Sequence, residues 1–229
     1  MKGVWLLPSR GRPERLARFA EAAIKCGTTT PGWVLIHSDD FLAYRDIALP
    51  KGWELRTLQS QGMGDKFREI WPQVRGMDWV GWLVDDVVPQ TEKWDTTLIS
   101  GLNGKNVISC NDGARAPFRM CAPVFSGDLL RAVGYIYAPG FWHTYMDDVW
   151  ERIGTVTGCW WVCMDVVLKH EDAFQSGVAD LTHMQSYGKN SEDQAAFEAW
   201  RRDGMDAAVL AVLDLMRPQT EQIKEVAYG

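Results

Sequence analysis

Short apolar runs alternate with amphipathic segments along this chain, and few folds satisfy that order. Val4 to Pro8, Trp33 to His37, Trp53 to Thr57, Trp79 to Val84 and Val107 to Cys110 each have the length and composition of a strand. Between the first two, Pro13 opens a helical pattern with Leu16, Phe19, Ala20 and Ala23 on one face and Gly27 as its stop. Further helices are expected from about Asp65, after Gly62 and Gly64, and over Trp94 to Leu102. Strands that alternate with helices form a parallel sheet, because a parallel partner needs a crossover connection. The expected fold class is therefore α/β, a mixed and mainly parallel sheet flanked by helices. Cys159 to Leu168 reads as a late strand ending at "KHEDAF". Ser191 to Gln194 matches a capping box opening a helix through Arg202, Gly204 interrupts it, and Val209 to Met216 continues helically. The domain expectation is one unit over 1–190, a nucleotide-binding half to about 110 and an acceptor half beyond it, with a helical extension over 191–229.

Ligands of such sheets bind at the carboxyl ends of the strands. Here the polar clusters fall at those ends. "PSRGRP" follows the first strand, Asp39 and Asp40 the second, Asp85 and Asp86 the fourth, and His170 a late one. "VGWLVDDVVP" carries an apolar strand up to two adjacent carboxylates, which repel each other and are costly to bury. A solvated turn accounts for them, and so does a hard cation such as Mn²⁺ or Mg²⁺. Asp147 and Asp148 in "FWHTYMDDVWERIG" precede a helical pattern. One of them can cap that helix, and a carboxylate beside an aromatic cluster can also serve as a general base. Being adjacent at a helix start, the two are expected to point apart. "PSRGRP" has one glycine and makes no phosphate-cradling loop, although its arginines suit phosphate.

Composition narrows the partners. The formal net charge of −6 argues against a non-specific coat on DNA. No apolar run approaches membrane-spanning length, and Val4 to Pro8 is too short for a secretory segment, so a cytoplasmic protein without a membrane partner is expected. The five cysteines are scattered and read as buried thiols, and most of the twelve tryptophans as core.

The order and content of "WLLPSRGRPERLARF", "VLIHSDD", "QGMGDKF", "GWLVDDVVPQTEKWD", "FWHTYMDDVWERIG" and "KHEDAF" resemble a GT-A-fold glycosyltransferase, family-2-like, of the small type encoded by tailed bacteriophages. The resemblance covers roughly residues 4 to 175. It implies donor contacts from Pro8, Ser9, Arg10 and Arg12, from Asp39 and Asp40, and from Gly64 and Lys66. The family's DxD motif falls on Val84 to Asp86, a departure at its first acid, with Asp86 as metal ligand and Asp85 as a ribose or metal contact. The late histidine that completes the metal site falls on His170, and the catalytic base of inverting members on Asp148, with Asp147 in support. Trp142, His143 and Tyr145 would line the acceptor, and Arg115 and Arg119 would touch phosphate if the acceptor is DNA.

The expectation is thus a metal-dependent, inverting transferase that moves a sugar from a nucleotide-diphosphate donor, such as a UDP-sugar, to a hydroxyl. The acceptor is a hydroxymethylated pyrimidine in phage DNA or a glycan. A sugar nucleotidyltransferase is the rival enzyme, and a degenerate glycan- or DNA-binding protein the rival outside enzymes.

Overall fold

The computed structural model describes residues 1–113, 119–171 and 181–218 of the chain, so Arg115 lies outside the described residues. Its strands are β1 (Gly3–Pro8), β2 (Gly32–His37), β3 (Trp53–Leu58), β4 (Trp79–Trp82), β5 (Val87–Pro89), β6 (Val107–Asn111), β7 (Val124–Ser126) and β8 (Trp160–His170). Its helices are α1 (Pro13–Lys25), α2 (Phe41–Tyr44), α3 (Met63–Val74), α4 (Trp94–Ser100), α5 (Gly127–Val133), α6 (Met146–Thr157), α7 (Leu181–Asp203) and α8 (Met205–Met216). The strands form one sheet in the order β3-β2-β1-β4-β7-β6-β8-β5.

The first half is parallel, as the alternation requires: β1 pairs with β2 and β4, and β2 with β3. The direction reverses at β7, which is antiparallel to both β4 and β6. β1 is buried on both faces. Its Val4 and Leu6 join the core under α3, α5, α6 and the C-terminal helices, while Trp5 and Leu7 join the core under α1 and α4. The mixed sheet with helices on both faces is the α/β arrangement that the sequence leads one to expect.

Many tryptophans are explained by one packing device. Trp5 lies in register with Gly81 on one neighbouring strand and Gly32 on the other, and Gly32 in turn with Trp53. A Cβ on Gly81 would stand 2.0 Å from the Trp5 ring, and one on Gly32 2.2 Å from the Trp53 ring. Each large ring therefore lies flat over a neighbour that has no side chain. This is a close approach that only glycine permits.

Two boundaries differ from expectation. α7 begins at Leu181, so Ser191 to Gln194 lies inside a helix rather than at its start, and residue 190 falls within that helix. The reason appears below: Asp193 faces inward, toward a loop. β8 also runs longer than Cys159 to Leu168. Its pairing with β6 jumps from Cys163 to Val167 across one residue step, a bulge that bends the strand. Beyond the bulge β8 pairs with β5, placing His170 opposite Val87. Among the described residues, no helix is long and apolar enough to cross a membrane.

Candidate active site

The carboxyl ends of β1, β2 and β4 open onto one crevice, and the end of β8 reaches it by way of β5. At its base lies a chain of buried polar groups. The Arg12 backbone N–H donates to the Tyr44 hydroxyl oxygen at 2.8 Å, and the Ser9 hydroxyl donates to Asp85 Oδ2 at 2.6 Å. Ser9 Oγ and Tyr44 Oη are 2.8 Å apart. Since the Ser9 proton goes to Asp85, Tyr44 is the donor to Ser9. Arg12 Nη1 takes the other Asp85 oxygen at 3.1 Å, so both oxygens are engaged by the protein. Burial raises the Asp85 pKa, the neighbouring Asp86 charge adds to the rise, and Arg12 and Ser9 oppose it. Burial also pushes the Tyr44 phenol up to about 12, which keeps it a donor at neutral pH.

Asp86 faces a different set. His170 Nε2 lies 3.1 Å from its Oδ1 and Arg15 Nη1 3.4 Å from its Oδ2. Burial would raise its pKa, but His170, Arg12 and Arg15 outweigh that and hold it below the usual carboxylate value. The backbone makes the pairing possible: Val87 registers against His170, and the Glu171 N–H donates to Asp86 O at 2.8 Å. Asp86 and His170 are one carboxylate and one imidazole at hydrogen-bond distance, and among the described residues no group of three or more metal-ligating side chains is gathered around them. Asp85, with both oxygens taken, does not join them. The turn from Val84 to Asp86 therefore holds one carboxylate against Ser9 and Arg12 and the other against His170 and Arg15. Beside it a cleft of about 430 Å³ is lined by Arg15, Arg18, Lys169, Glu171 and the two aspartates.

The other donor-side candidates separate. Asp40 sends a buried Oδ2 toward the site with no partner among the described residues. Asp39 is exposed and its backbone N–H donates to His37 Nδ1 at 3.2 Å. Arg10 reaches out to Gln61 Oε1 at 3.1 Å, and Pro8 is the buried last residue of β1. Lys66 is 1% exposed and spends its ammonium on the backbone, donating to Ser9 O at 2.7 Å and Leu35 O at 3.2 Å. It therefore ties the ends of β1 and β2 together. Gly64 has a packing role: a Cβ there would stand 2.2 Å from Phe141 O.

Burial lowers the Lys66 pKa to about 8, against the pull of Asp40 and Asp85. Between about pH 8 and the ordinary lysine value near 10.4 the folded state binds fewer protons at this position than the unfolded state, so stability there rises with pH. Urea unfolding of the wild type and Lys66→Met at pH 7 and pH 10 checks this. The wild type is expected to gain about 3 kcal/mol on the variant across that interval. A pH-independent difference between them would show that Lys66 titrates as an ordinary surface lysine.

On the acceptor side, Asp147 and Asp148 lie in the first turn of α6, and the Asp147 carboxylate accepts from the backbone N–H groups of Asp147 and Asp148, the capping contact expected of one of the pair. They do not point apart. Both reach Arg119, Asp147 at 3.5 Å from Nη2 and Asp148 at 3.3 Å from Nη1, and Glu151 lies 3.5 Å from Nη1. One guanidinium can span both carboxylates because its nitrogens form a planar fork. Glu151 also accepts from the Met120 N–H at 2.6 Å. Burial raises the Asp147 pKa, the Asp148 charge adds to the rise, and Arg119 opposes it. Trp142, His143 and Tyr145 sit half-buried just before this helix, and Tyr145 adopts the left-handed conformation at φ 69°. Arg119 is thus committed to carboxylates. Tyr44 and Glu151 went unnoticed in the sequence, since neither stands in a motif.

The chain has the GT-A fold. A mannosyltransferase from Pyrobaculum calidifontis, solved with GDP-Man and Mn²⁺, is similar with a TM-score of 0.57 at 10% identity, over 100% of this chain and 76% of that one. A mycobacterial protein gives 0.53 at 10% identity, over 79% of this chain and 69% of that one. Glucosyl-3-phosphoglycerate synthase from Mycobacterium tuberculosis, solved with Mn²⁺, UDP and glucosyl-3-phosphoglycerate, gives 0.50 at 11% identity, over 79% and 81% of the two chains. No family model matches the chain, and no curated protein matches it.

Proposed function

We propose that this protein is a glycosyltransferase that moves a sugar from a nucleotide-diphosphate donor to a hydroxyl acceptor. The observation that carries the reading is the pairing of Asp86 with His170 beside the buried Ser9–Arg12–Asp85 cluster, at the carboxyl ends of the strands. Solved GT-A proteins that hold nucleotide or nucleotide sugar with Mn²⁺ support it. Asp86 and His170 would hold a divalent cation, whose chemistry is to neutralise charge on a departing diphosphate. Ser9, Arg12 and Asp85 would frame the nucleotide, and the unpartnered Asp40 oxygen would accept a hydrogen bond from its base or ribose. Arg15 and Arg18 lie where they would face the diphosphate. Asp148 would accept the acceptor proton, supported by Asp147, in a single displacement that inverts the anomeric centre.

For the acceptor, a neutral hydroxyl on a glycan fits better than duplex DNA. Asp147, Asp148 and Glu151 gather three carboxylates around one arginine, which repels a polyanion. A mass-spectrometric screen of UDP- and GDP-sugars with Mn²⁺, against simple sugars and hydroxymethylated DNA, tests both parts. Sugar transfer with release of nucleoside diphosphate is expected. Consumption of nucleoside triphosphate and sugar phosphate with release of pyrophosphate would instead show a nucleotidyltransferase. DNA labelling that falls steeply with salt would overturn the glycan reading.

A further inference from the structure

The segment from Tyr137 to Tyr145 carries the half-buried Trp142, His143 and Tyr145 and runs into α6. Its carbonyls are held from the core. The Gly64 N–H donates to Trp142 O at 2.9 Å, Arg68 donates to Ala138 O at 3.2 Å and Phe141 O at 3.0 Å, and the Tyr137 hydroxyl donates to His143 O. Its N–H groups are held from the opposite side by one side chain. Those of Trp142, His143 and Thr144 converge on the Asp193 carboxylate at 2.5, 2.9 and 2.7 Å, and the Thr144 hydroxyl adds a fourth bond at 2.9 Å. Successive N–H groups that converge form a concavity for an anion. Here the chain supplies the anion itself, from α7, and Asp193 is 0% exposed.

The same face of α7 holds the next residue of the loop. Phe197, one helical turn beyond Asp193, stacks on the Tyr145 ring with centroids 5.3 Å apart. Tyr145 keeps its left-handed backbone, which a non-glycine residue holds only where its surroundings impose it. Tyr145 is also the N-cap of α6, the residue just before its first turn. The path from Asp193 to Asp147 is thus four residues of loop, bonded on both sides, and the first turn of a helix.

We infer that Asp193 is a positioning residue: its carboxylate fixes the loop from Trp142 to Tyr145 and so sets how the first turn of α6 presents Asp147 and Asp148. The acceptor role of that pair rests on the glycosyltransferase reading, whereas the clamp does not. An asparagine could replace it only in part: its one oxygen can serve the His143 and Thr144 donors that share Oδ2, but its amide nitrogen would then face the Trp142 N–H.

Asp193→Asn, compared with Glu192→Gln on an exposed position of the same helix, tests the inference through three readouts. Amide exchange is expected to quicken by about tenfold or more at Trp142, whose N–H then faces an amide nitrogen, and by less at His143 and Thr144, which share the remaining oxygen. In a ¹³C carboxyl titration, the raised Asp147 value is expected to move back toward the ordinary range as the carboxylate shifts relative to Asp148, Arg119 and Glu151. Under turnover, kcat is expected to fall by about tenfold or more with donor KM unchanged. Glu192→Gln should move none of these. If the asparagine variant does not fold, Thr144→Val removes one bond of the four and should move the same readouts less. Faster exchange with an unmoved Asp147 titration would overturn the positioning role, and unchanged exchange would overturn the clamp. If the wild type transfers no sugar, the functional reading fails, while exchange and titration still decide the clamp.

Discussion

Asp86→Ala is expected to abolish sugar transfer while leaving a folded protein. The carboxylate stands at the end of a strand, outside the apolar clusters, and its partners His170 and Arg15 keep some access to water. Its loss should therefore cost about 1–3 kcal/mol of stability, the usual cost of leaving a polar partner unmet. Turnover is expected to suffer far more. Removing a group that stabilises developing charge in a closed site lowers kcat by about 10²–10³ or more. EDTA should reproduce the effect in the wild type, and added Mn²⁺ or Mg²⁺ should restore the rate. His170→Ala should weaken restoration by raising the Mn²⁺ concentration needed, because one ligand of the pair remains. Full turnover in EDTA would remove the cation from the scheme. It would shift charge neutralisation to Arg15 and Arg18, which line the same cleft.

The polar clusters were legible as strand ends because in a mainly parallel α/β sheet those ends lie on one side. Asp86 and His170, 84 residues apart, meet because β5 pairs with the end of β8. What escaped was structure made by partners far along the chain. β5 is three residues long and exists because β8 pairs with it. β7 is equally short and is fixed by β4 and β6. Asp193 looked like part of a capping box because Ser191 and Gln194 have the right spacing. Its true partners are backbone N–H groups about 50 residues away, which carry no side-chain signature. Lys66 shows the converse. Its place in a family-like loop suggested a donor contact, but the side chain is drawn inward to two carbonyls at the sheet edge.

Asp148→Asn is expected to lower kcat by about 10²–10⁴, the usual contribution of a general base, with donor affinity nearly unchanged. The donor would bind on the Asp86 side, separated from α6 by the crevice. Asp147→Asn should behave differently. The two carboxylates share Arg119, and the Asp148 charge adds to the rise of the Asp147 pKa that burial causes. Asp147 supports the base as a carboxylate, so activity is expected to fall on the acid side as Asp147 takes up its proton. Burial and the neighbouring charge raise the Asp147 pKa, which places that acid limb above the ordinary aspartate range. Replacing Asp147 with a neutral amide removes the group that titrates there and should remove that limb, while the plateau falls by less than about tenfold. Arg119→Ala should move the limb to higher pH, since it leaves Asp147, Asp148 and Glu151 facing one another without their shared cation. The pH dependence of kcat for the three variants checks all of this in one series. A large loss in Asp147→Asn with a near-normal Asp148→Asn would exchange the two roles. If neither substitution slows transfer, a carboxylate base on α6 is excluded, and the acceptor hydroxyl must lose its proton elsewhere.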